Sequence, residues 1–131
     1  MNFLNVKIME KGGKLVADEG SFEITPTEEQ AKTLKEYIGK EVYFGIRPED
    51  MEYAKAPASV NNMQMKVSVI EPLGAETNLF LQSKTQNVVV RTSPDIKFQL
   101  GDTVNFVPMM EKSKFFDKDT ELNICEVVKT E

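Results

Sequence analysis

Hydrophobic and polar residues alternate most clearly around position 44. Val42, Phe44 and Ile46 are apolar at every second position, and polar or small residues separate them. Because successive side chains of a β-strand point to opposite faces, this pattern predicts a strand with one buried face. Pro48 has a fixed φ and no N–H group, so it should end the strand. The same proline restricts Arg47 to an extended conformation, as expected of a last strand residue.

Shorter alternating runs fill much of the remaining chain, with turn signals between them. Gly12-Gly13 predicts the tip of a hairpin, and residues 72–75 and 84–87 predict further turns. The predicted strands lie at residues 4–8, 15–16, 22–24, 65–69, 78–82, 88–91 and 104–106, with a closing apolar run at Ile124, Cys125, Val127 and Val128. Short strands at this spacing are typical of a small β-barrel or sandwich. We therefore expect an all-β fold with one short helix.

That helix is predicted in residues 25–38. Thr25 and Glu28 have the spacing of a capping box, and Pro26 would occupy the first helical position, where its missing N–H costs nothing. Gly39 stands where the residue after a helix C-cap belongs. The apolar residues form a narrow stripe at spacings of three and four: Ala31, Leu34 and Ile38. We expect the helix to cover or plug a sheet.

Length and composition indicate one domain spanning residues 1–131. The chain is 40% hydrophobic and 28% charged, which is typical of a soluble globular protein. Residues 54–59, small residues around Pro57, predict an exposed connector that could mark a boundary between two β-rich halves. No apolar run approaches the roughly 18 residues of a membrane span, and no signal-peptide pattern is present. Because Cys125 is the single cysteine, we expect a reducing cytoplasm.

The chain contains no histidine, which removes the commonest general base and the commonest transition-metal ligand. A nucleophile–histidine–acid triad is therefore impossible. The sequence also lacks a Walker-type phosphate loop and a Gly-x-Gly-x-x-Gly motif. Cys125 lies in an apolar run and predicts a buried structural thiol. We predict no catalytic residue, metal site or cofactor in this chain, and we expect that it neither binds nor hydrolyses ATP.

Two groups of residues allow more than one interpretation. Arg47, Glu49 and Asp50 place one positive and two negative charges where the chain turns after the predicted strand. They could form a ligand-binding ion cluster, but a structural ion pair that fixes the end of the strand is favoured. Phe115-Phe116 could form a stacking platform, but a position in the core is favoured.

Asp117, Asp119 and Glu121 alternate as the ligands of a calcium-binding loop do. The EF-hand loop also needs glycine at its sixth position and glutamate at its twelfth, where this chain has Leu122 and Val128. A solvated acidic turn is therefore favoured over a calcium site.

The charge balance bears on nucleic-acid binding. Sixteen basic and 21 acidic residues give a net charge of −5, which argues against a large phosphate-binding surface. Small Greek-key barrels do bind oligonucleotides, through aromatic residues among basic ones. Here the basic residues are scattered, so we predict no nucleic-acid partner and keep a nucleic-acid-binding barrel only as a second alternative.

Three segments, read together, resemble a known family: Gly-Ile-Arg-Pro-Glu-Asp-Met at 45–51, Val-Ile-Glu-Pro-Leu-Gly-Ala-Glu-Thr at 69–77, and Phe-Phe-Asp-Lys-Asp-Thr at 115–120. In order and spacing they resemble the C-terminal regulatory (TOBE) domain of ABC transporter ATP-binding subunits that import maltose and multiple sugars. The opening Met-Asn-Phe-Leu resembles the segment where that domain begins, so the resemblance covers nearly the whole chain. Residues 25–38 vary among such proteins, and Glu121 stands where relatives often carry glycine.

The resemblance implies an oligonucleotide-binding-type (OB-fold, TOBE) β-barrel with a regulatory role. In this family two copies of the domain contact each other and hold a pair of ATPases together while their nucleotide-binding halves open and close. The resemblance thus implies a homodimer and an N-terminal ATPase domain that would bind ATP and Mg²⁺. Through the ATPase the domain would reach the transporter's membrane subunits, on the cytoplasmic side and without inserting into the membrane. It can also receive a regulatory protein or, in some relatives, a small effector.

The family's motif residues are carried over by position. The structural motif comprises Gly45, Arg47, Pro48, Glu49 and Asp50, and the candidates for partner binding are Gly74, Glu76, Thr77, Phe116, Asp117 and Thr120. For self-association we expect the turn at residues 73–77 and the corner at residues 47–50. The first alternative is a barrel that binds a small effector or oxyanion, since related barrels bind molybdate. The net negative charge and the lack of a Ser/Lys nest argue against it.

Overall fold

The computed structural model describes residues 1–124, in which ten strands, one α-helix and three short 3-10 helices form. The strands are β1 (Asn2–Lys11), β2 (Lys14–Asp18), β3 (Glu23–Ile24), β4 (Glu41–Ile46), β5 (Met51–Ala54), β6 (Met63–Pro72), β7 (Thr77–Gln82), β8 (Asn87–Thr92), β9 (Thr103–Pro108) and β10 (Lys114–Phe116). Helix α1 spans Glu28–Leu34, and the 3-10 helices span Lys35–Tyr37, Pro48–Asp50 and Met110–Lys112. The predicted all-β fold with one short helix is confirmed. Of the predicted closing run, Cys125, Val127 and Val128 lie outside the described residues.

The strands form two antiparallel five-stranded sheets, in the orders β10-β4-β1-β2-β3 and β5-β9-β6-β7-β8. The chain builds the first sheet with β1 to β4, crosses to the second at Pro48–Asp50, and returns with β10, which pairs with β4. The change of sheet therefore falls at this 3-10 helix. The boundary predicted at residues 54–59 is wrong, because that mostly exposed segment joins β5 to β6 within the second sheet.

Strand β4 is built as its alternation predicts. Val42, Phe44 and Ile46 are completely buried, Arg47 is extended at φ −77° and ψ 149°, and Pro48 begins a 3-10 helix. Both sheets and α1 contribute to one hydrophobic core. Its largest fully buried side chains are Phe44, Phe106, Leu4, Ile8, Ile24, Leu34, Ile46, Met63, Leu79, Leu81, Ile124 and Val6.

The capping box of α1 uses different residues from those predicted. The Thr27 Oγ1 accepts the Gln30 N–H at 3.2 Å, and the Gln30 Oε1 accepts the Thr27 N–H at 3.0 Å. The prediction of Thr25 and Glu28 is therefore wrong, and Pro26 precedes the cap. The N–H of Thr25 instead donates to the Asn61 Oδ1 at 2.6 Å, which ties this residue to a loop outside the helix.

Helix α1 lies against the connection between β9 and β10, and its apolar stripe contributes Leu34 to the core. Leu34 is completely buried, and the Gln30 Nε2 donates to the Ser113 carbonyl and hydroxyl oxygens at 3.2 and 3.1 Å. The stripe is shorter than predicted, since Ile38 lies beyond the helical segment and is 44% exposed. Gly39 follows the C-cap residue Ile38, as predicted. Within residues 1–124, no helix has the length and apolar character needed to cross a membrane.

Side-chain amides join the two sheets where β1 meets β8. The Asn2 Nδ2 donates to the Val89 carbonyl at 2.7 Å, and the Val89 N–H donates to the Asn2 Oδ1 at 2.8 Å. The Gln86 side chain bonds the backbone of Asn5 in the same two-way manner, at 3.0 and 2.7 Å. Each amide thereby takes the place of a backbone group in a β-ladder, so these two pairs form an amide seam between the sheets.

A buried carboxylate adds to this connection. Glu19 is only 7% exposed and lies in the loop after β2. Its Oε2 accepts hydrogen bonds from Ser83 Oγ at 2.7 Å, Gln86 Nε2 at 2.9 Å and Thr85 Oγ1 at 3.2 Å. Because the donors come from the β7–β8 hairpin, Glu19 ties the edge of the first sheet to the second.

Candidate interaction surfaces

The corner after β4 is held by backbone bonds rather than by the predicted ion pair. The Asp50 N–H donates to the Arg47 carbonyl at 3.0 Å, and the Met109 N–H donates to the Asp50 carbonyl at 2.9 Å. Asp50 is buried, and its nearest cation is Lys112, with Nζ 3.8 Å from Oδ1. Arg47 and Glu49 are exposed and form no ion pair in residues 1–124, so the predicted pairing of Arg47 with these carboxylates is wrong.

Gly45 is required by close packing. A Cβ at this position would lie 2.6 Å from the Phe116 Cε2 and 3.1 Å from the Met1 Sδ. The ring of Phe116 therefore lies against the backbone of β4, and two of the predicted motifs meet at this contact. Phe115, its neighbour, points into the core and packs on Phe44 with ring centroids 5.2 Å apart. The preference for a core position is thus correct for Phe115 and wrong for Phe116.

The turn between β6 and β7 projects from the second sheet. The Leu73 N–H donates to the Glu76 carbonyl at 2.8 Å, and Gly74 has φ +88°, a conformation that side chains other than glycine rarely adopt. The Glu76 Oε2 lies 3.6 Å from the Arg91 Nε on β8. Leu73 is 51% exposed, whereas Thr77 is buried where β7 begins. The turn therefore offers an apolar side chain beside an exposed ion pair.

The turn at residues 73–77 and the corner at residues 47–50 are both attached to β8. The corner's 3-10 helix packs against β8, and the first residue of β7, Thr77, pairs with Thr92 at the end of β8. Both segments predicted for self-association therefore adjoin the same strand, although they are more than twenty residues apart in sequence.

The third motif forms a tight acidic turn. The Asp117 Oδ1 accepts the backbone N–H groups of Asp119 and Thr120 at 2.8 and 3.1 Å, and its Oδ2 accepts the Tyr37 hydroxyl at 2.7 Å. The Tyr37 hydroxyl, followed by the backbone donors, lowers the pKa of the Asp117 carboxyl below its ordinary value. Glu121 has φ +60°, the left-handed conformation that suits glycine at this position.

These contacts favour the solvated turn over the calcium site. Both Asp117 oxygens are engaged by protein donors, so the carboxylate organises the loop itself. Within residues 1–124, no group of three or more acidic or cysteine side chains is arranged to hold a metal ion.

The outer side of the first sheet carries an aromatic face, formed by Met1, Phe3, Tyr43 and Phe116, which the sequence analysis missed. Phe3 contacts Phe116 and Tyr43 edge to face, with ring centroids 5.5 and 6.5 Å apart. A depression of about 380 Å³ lies among Phe3, Tyr43, Phe116 and Glu121. The alternation of residues in β1 could have predicted this face. Because Leu4, Val6 and Ile8 are buried, Phe3 lies on the opposite side of the strand.

A solved structure of another protein shares the fold of this chain. Two small antiparallel sheets with exposed turns resemble the molybdate-bound structure of the cytoplasmic molybdate-binding protein ModG, with a TM-score of 0.66 and 14% identity. The match covers 87% of this chain and 94% of that one. At this identity the likeness shows a shared fold.

Two family models then identify the chain more closely. The MalK OB fold domain matches residues 1–51, and the TOBE domain matches residues 44–113. The chain belongs to the TOBE domain family. The two matches overlap at β4 and the Pro48–Asp50 helix, where the chain passes from the first sheet to the second.

The relatives are ATP-binding proteins. The oligosaccharides import ATP-binding protein MsmX of Bacillus subtilis is 36% identical over 129 residues, covering 95% of this chain and 34% of MsmX. The trehalose/maltose import ATP-binding protein MalK of Thermococcus litoralis is 33% identical over 127 residues, covering 92% of this chain and 33% of MalK. The chain spans about a third of the length of the relatives it matches.

Proposed function

We propose that this chain is the dimerising and regulatory domain of the ATP-binding subunit of a sugar importer. The observation that carries the proposal is the match to MsmX, which extends over 95% of the chain at 36% identity. In the proposed protein, ATP and Mg²⁺ are bound by another part of the polypeptide, and this domain has no catalytic residue. The ATP-binding part in turn contacts the membrane subunits, which places the domain at the cytoplasmic side of the membrane.

The proposed dimer surface comprises the turn at residues 73–77 and the corner at residues 47–50. Leu73 supplies an exposed apolar contact, and Arg47 and Glu49 supply one positive and one negative charge without an ion-pair partner in residues 1–124. A twofold interface brings the same patch of both copies together. Unpaired charges of both signs on one patch can therefore pair across it. No reactive group is needed for this role.

The dimer surface is tested by replacing Leu73 with arginine. Leu73→Arg places a charge at the centre of the proposed contact, so we expect the variant to remain monomeric where the wild type reaches twice the monomer mass in light scattering. Val60→Arg is the matched control, because Val60 is 59% exposed and lies in the loop before β6, at the other end of that strand. A wild type that stays monomeric at high concentration, or equal masses for all three proteins, would contradict the proposed surface.

A further inference from the structure

The proposed dimer surface leaves the aromatic face unused. Phe3 is 55% exposed and Met1 is 46% exposed, although both are large apolar side chains. Tyr43 and Phe116 are half-buried beside them. Contiguous apolar surface bordered by polar residues is a feature of interaction sites.

The aromatic face is preformed. The rings of Phe3 and Phe116 meet at an interplanar angle of 65°, and those of Phe3 and Tyr43 at 75°, so edge-to-face contacts orient all three rings. Phe116 is seated on the backbone of Gly45, which leaves it little room to move inward. A partner would therefore meet an ordered surface and would not have to order it on binding.

The rim of the face is polar and carries both signs of charge. The Lys118 Nζ lies 5.3 Å from the Tyr43 ring centroid and 3.5 Å from the Glu41 Oε1. Glu121 borders the depression on another side. An apolar centre within a charged rim is the usual composition of a protein–protein contact, and differs from a membrane-binding surface, which is rich in cations.

Both ends of the described chain reach this face. The Met1 side chain is part of it, with its Sδ against Gly45, and Asn123 at the other end pairs with Phe116 in an antiparallel bridge. In the relatives, about two thirds of the polypeptide lies outside the matched region. Polypeptide joined to this domain ahead of Met1 would thus leave it beside the aromatic face. A tether of this kind gives the joined domain a high effective concentration at the surface.

We infer that the aromatic face is the docking surface for the ATP-binding part of the same polypeptide. This inference rests on the proposed function, since it requires that part to exist. The domain would then have two separate contact surfaces. The aromatic face, on the first sheet, contacts the ATP-binding part, and the surface formed by residues 47–50 and 73–77 contacts a second copy. A change in the ATP-binding part would then reach the dimer contact through β4, which runs from Tyr43 to the corner at Arg47.

Site-specific photocrosslinking in the full-length gene product tests the assignment. p-Benzoylphenylalanine replaces Phe3 in one variant and Leu73 in a matched second one, and adducts are mapped by mass spectrometry after irradiation. Both positions are about half exposed, so the probe should not disturb folding. We expect the Phe3 probe to form adducts with the ATP-binding part of its own chain, and the Leu73 probe to form adducts between two copies.

The outcomes separate the two proposals. Phe3 adducts to a second copy, or no Phe3 adducts, would overturn the docking assignment and leave the proposed function standing. Adducts from Phe3 to the ATP-binding part together with no dimer from Leu73 would support docking and overturn the proposed dimer surface. A gene product without an ATP-binding part would overturn the proposed function, and the docking assignment with it.

Discussion

At the scale of single residues, Gly45 connects two motifs because it has no side chain. The residue lies inside β4, where glycine is entropically unfavourable compared with alanine. Because it has no Cβ, it leaves space for Phe116 and Met1 on the outer side of the sheet. The sequence places Gly45 and Phe116 in separate motifs, and the pairing of β4 with β10 brings them into contact.

Gly45→Ala should therefore destabilise the domain. The new methyl group would push against the Phe116 ring, and overpacking of this kind costs about 1–3 kcal/mol, with the lower end expected at a partly exposed ring. Urea denaturation measures the loss. In a Phe116→Ala background the same substitution should cost much less, because the clashing ring is gone. Equal costs in the two backgrounds would refute the packing explanation.

The ionisation of Asp117 is coupled to the fold. Its pKa is lowered in the folded state, so its contribution to stability is complete above the unfolded pKa of about 3.9 and is lost as pH falls through the folded pKa. The Tyr37 hydroxyl is the largest cause of the shift, and the two residues lie eighty positions apart.

Tyr37→Phe removes this donor, so the pKa of Asp117 should rise. The variant should be less stable than the wild type at pH 7, and the difference should narrow as pH falls below about 3.9. An NMR titration of the Asp117 carboxyl carbon follows the pKa directly. Tyr43→Phe serves as the control, since Tyr43 is near the same loop but makes no hydrogen bond to Asp117 in the structure. An unshifted titration in Tyr37→Phe would exclude the hydroxyl as the cause.

At the scale of elements, the start of α1 shows the limit of local patterns. Thr25 and Thr27 both precede possible N3 partners, Glu28 and Gln30, so the sequence offers two capping boxes. The structure selects the second because the backbone of Thr25 bonds to Asn61, from a loop outside the helix. A tertiary contact thereby decides between two locally acceptable helix starts.

Thr27→Ala should cost about 1 kcal/mol of stability, because the Gln30 N–H loses its acceptor. Thr25→Ala should change stability by less than about 0.5 kcal/mol, since only its backbone N–H takes part in the contact that the structure shows. Thermal or urea denaturation of the two variants gives the comparison. A larger loss for Thr25→Ala would mean that the helix begins where the sequence pattern first suggested.

At the scale of the whole molecule, the amide seam joins the two sheets outside their shared core, beside the contacts of Glu19. Asn2 and Gln86 each bond a backbone N–H and a backbone carbonyl on the opposite sheet. The seam lies near the Pro48–Asp50 crossover, since Asn2 pairs with Ile46 in β1 and β4. The seam therefore lies close to the corner at residues 47–50, which is part of the proposed dimer surface.

Asn2→Ala should weaken the seam measurably. The Val89 N–H and carbonyl would lose their partners, and because Val89 is half-buried we expect the lower end of the roughly 1–3 kcal/mol that an unsatisfied buried group costs. Amide exchange at Val89 should accelerate, and urea denaturation should show the loss of stability. Asn78→Ala is the control, because its side-chain bonds reach only the side chains of Glu71, which is exposed, and Arg91, which is half-buried. An unchanged rate of amide exchange at Val89 would show that the amide seam does not protect this residue.

Much of the architecture could be predicted from local pattern. The alternation of Val42, Phe44 and Ile46, the stop at Pro48 and the Gly12-Gly13 hairpin tip all appear in the structure, because each depends on residues adjacent in sequence. The TOBE resemblance could also be predicted from the sequence, because its motifs are short and contiguous. The family matches confirm it.

Other features depended on residues distant in sequence. Lys112 rather than Arg47 lies nearest to Asp50, and Phe116 leaves the core for the aromatic face because β10 returns to the first sheet. The sequence alone therefore determined the strands, the turns and the family, since local backbone preferences and side-chain alternation act between neighbours. The tertiary structure decided which side chains meet at the seam and on the aromatic face, and which capping box forms, since these depend on contacts between segments far apart in the chain.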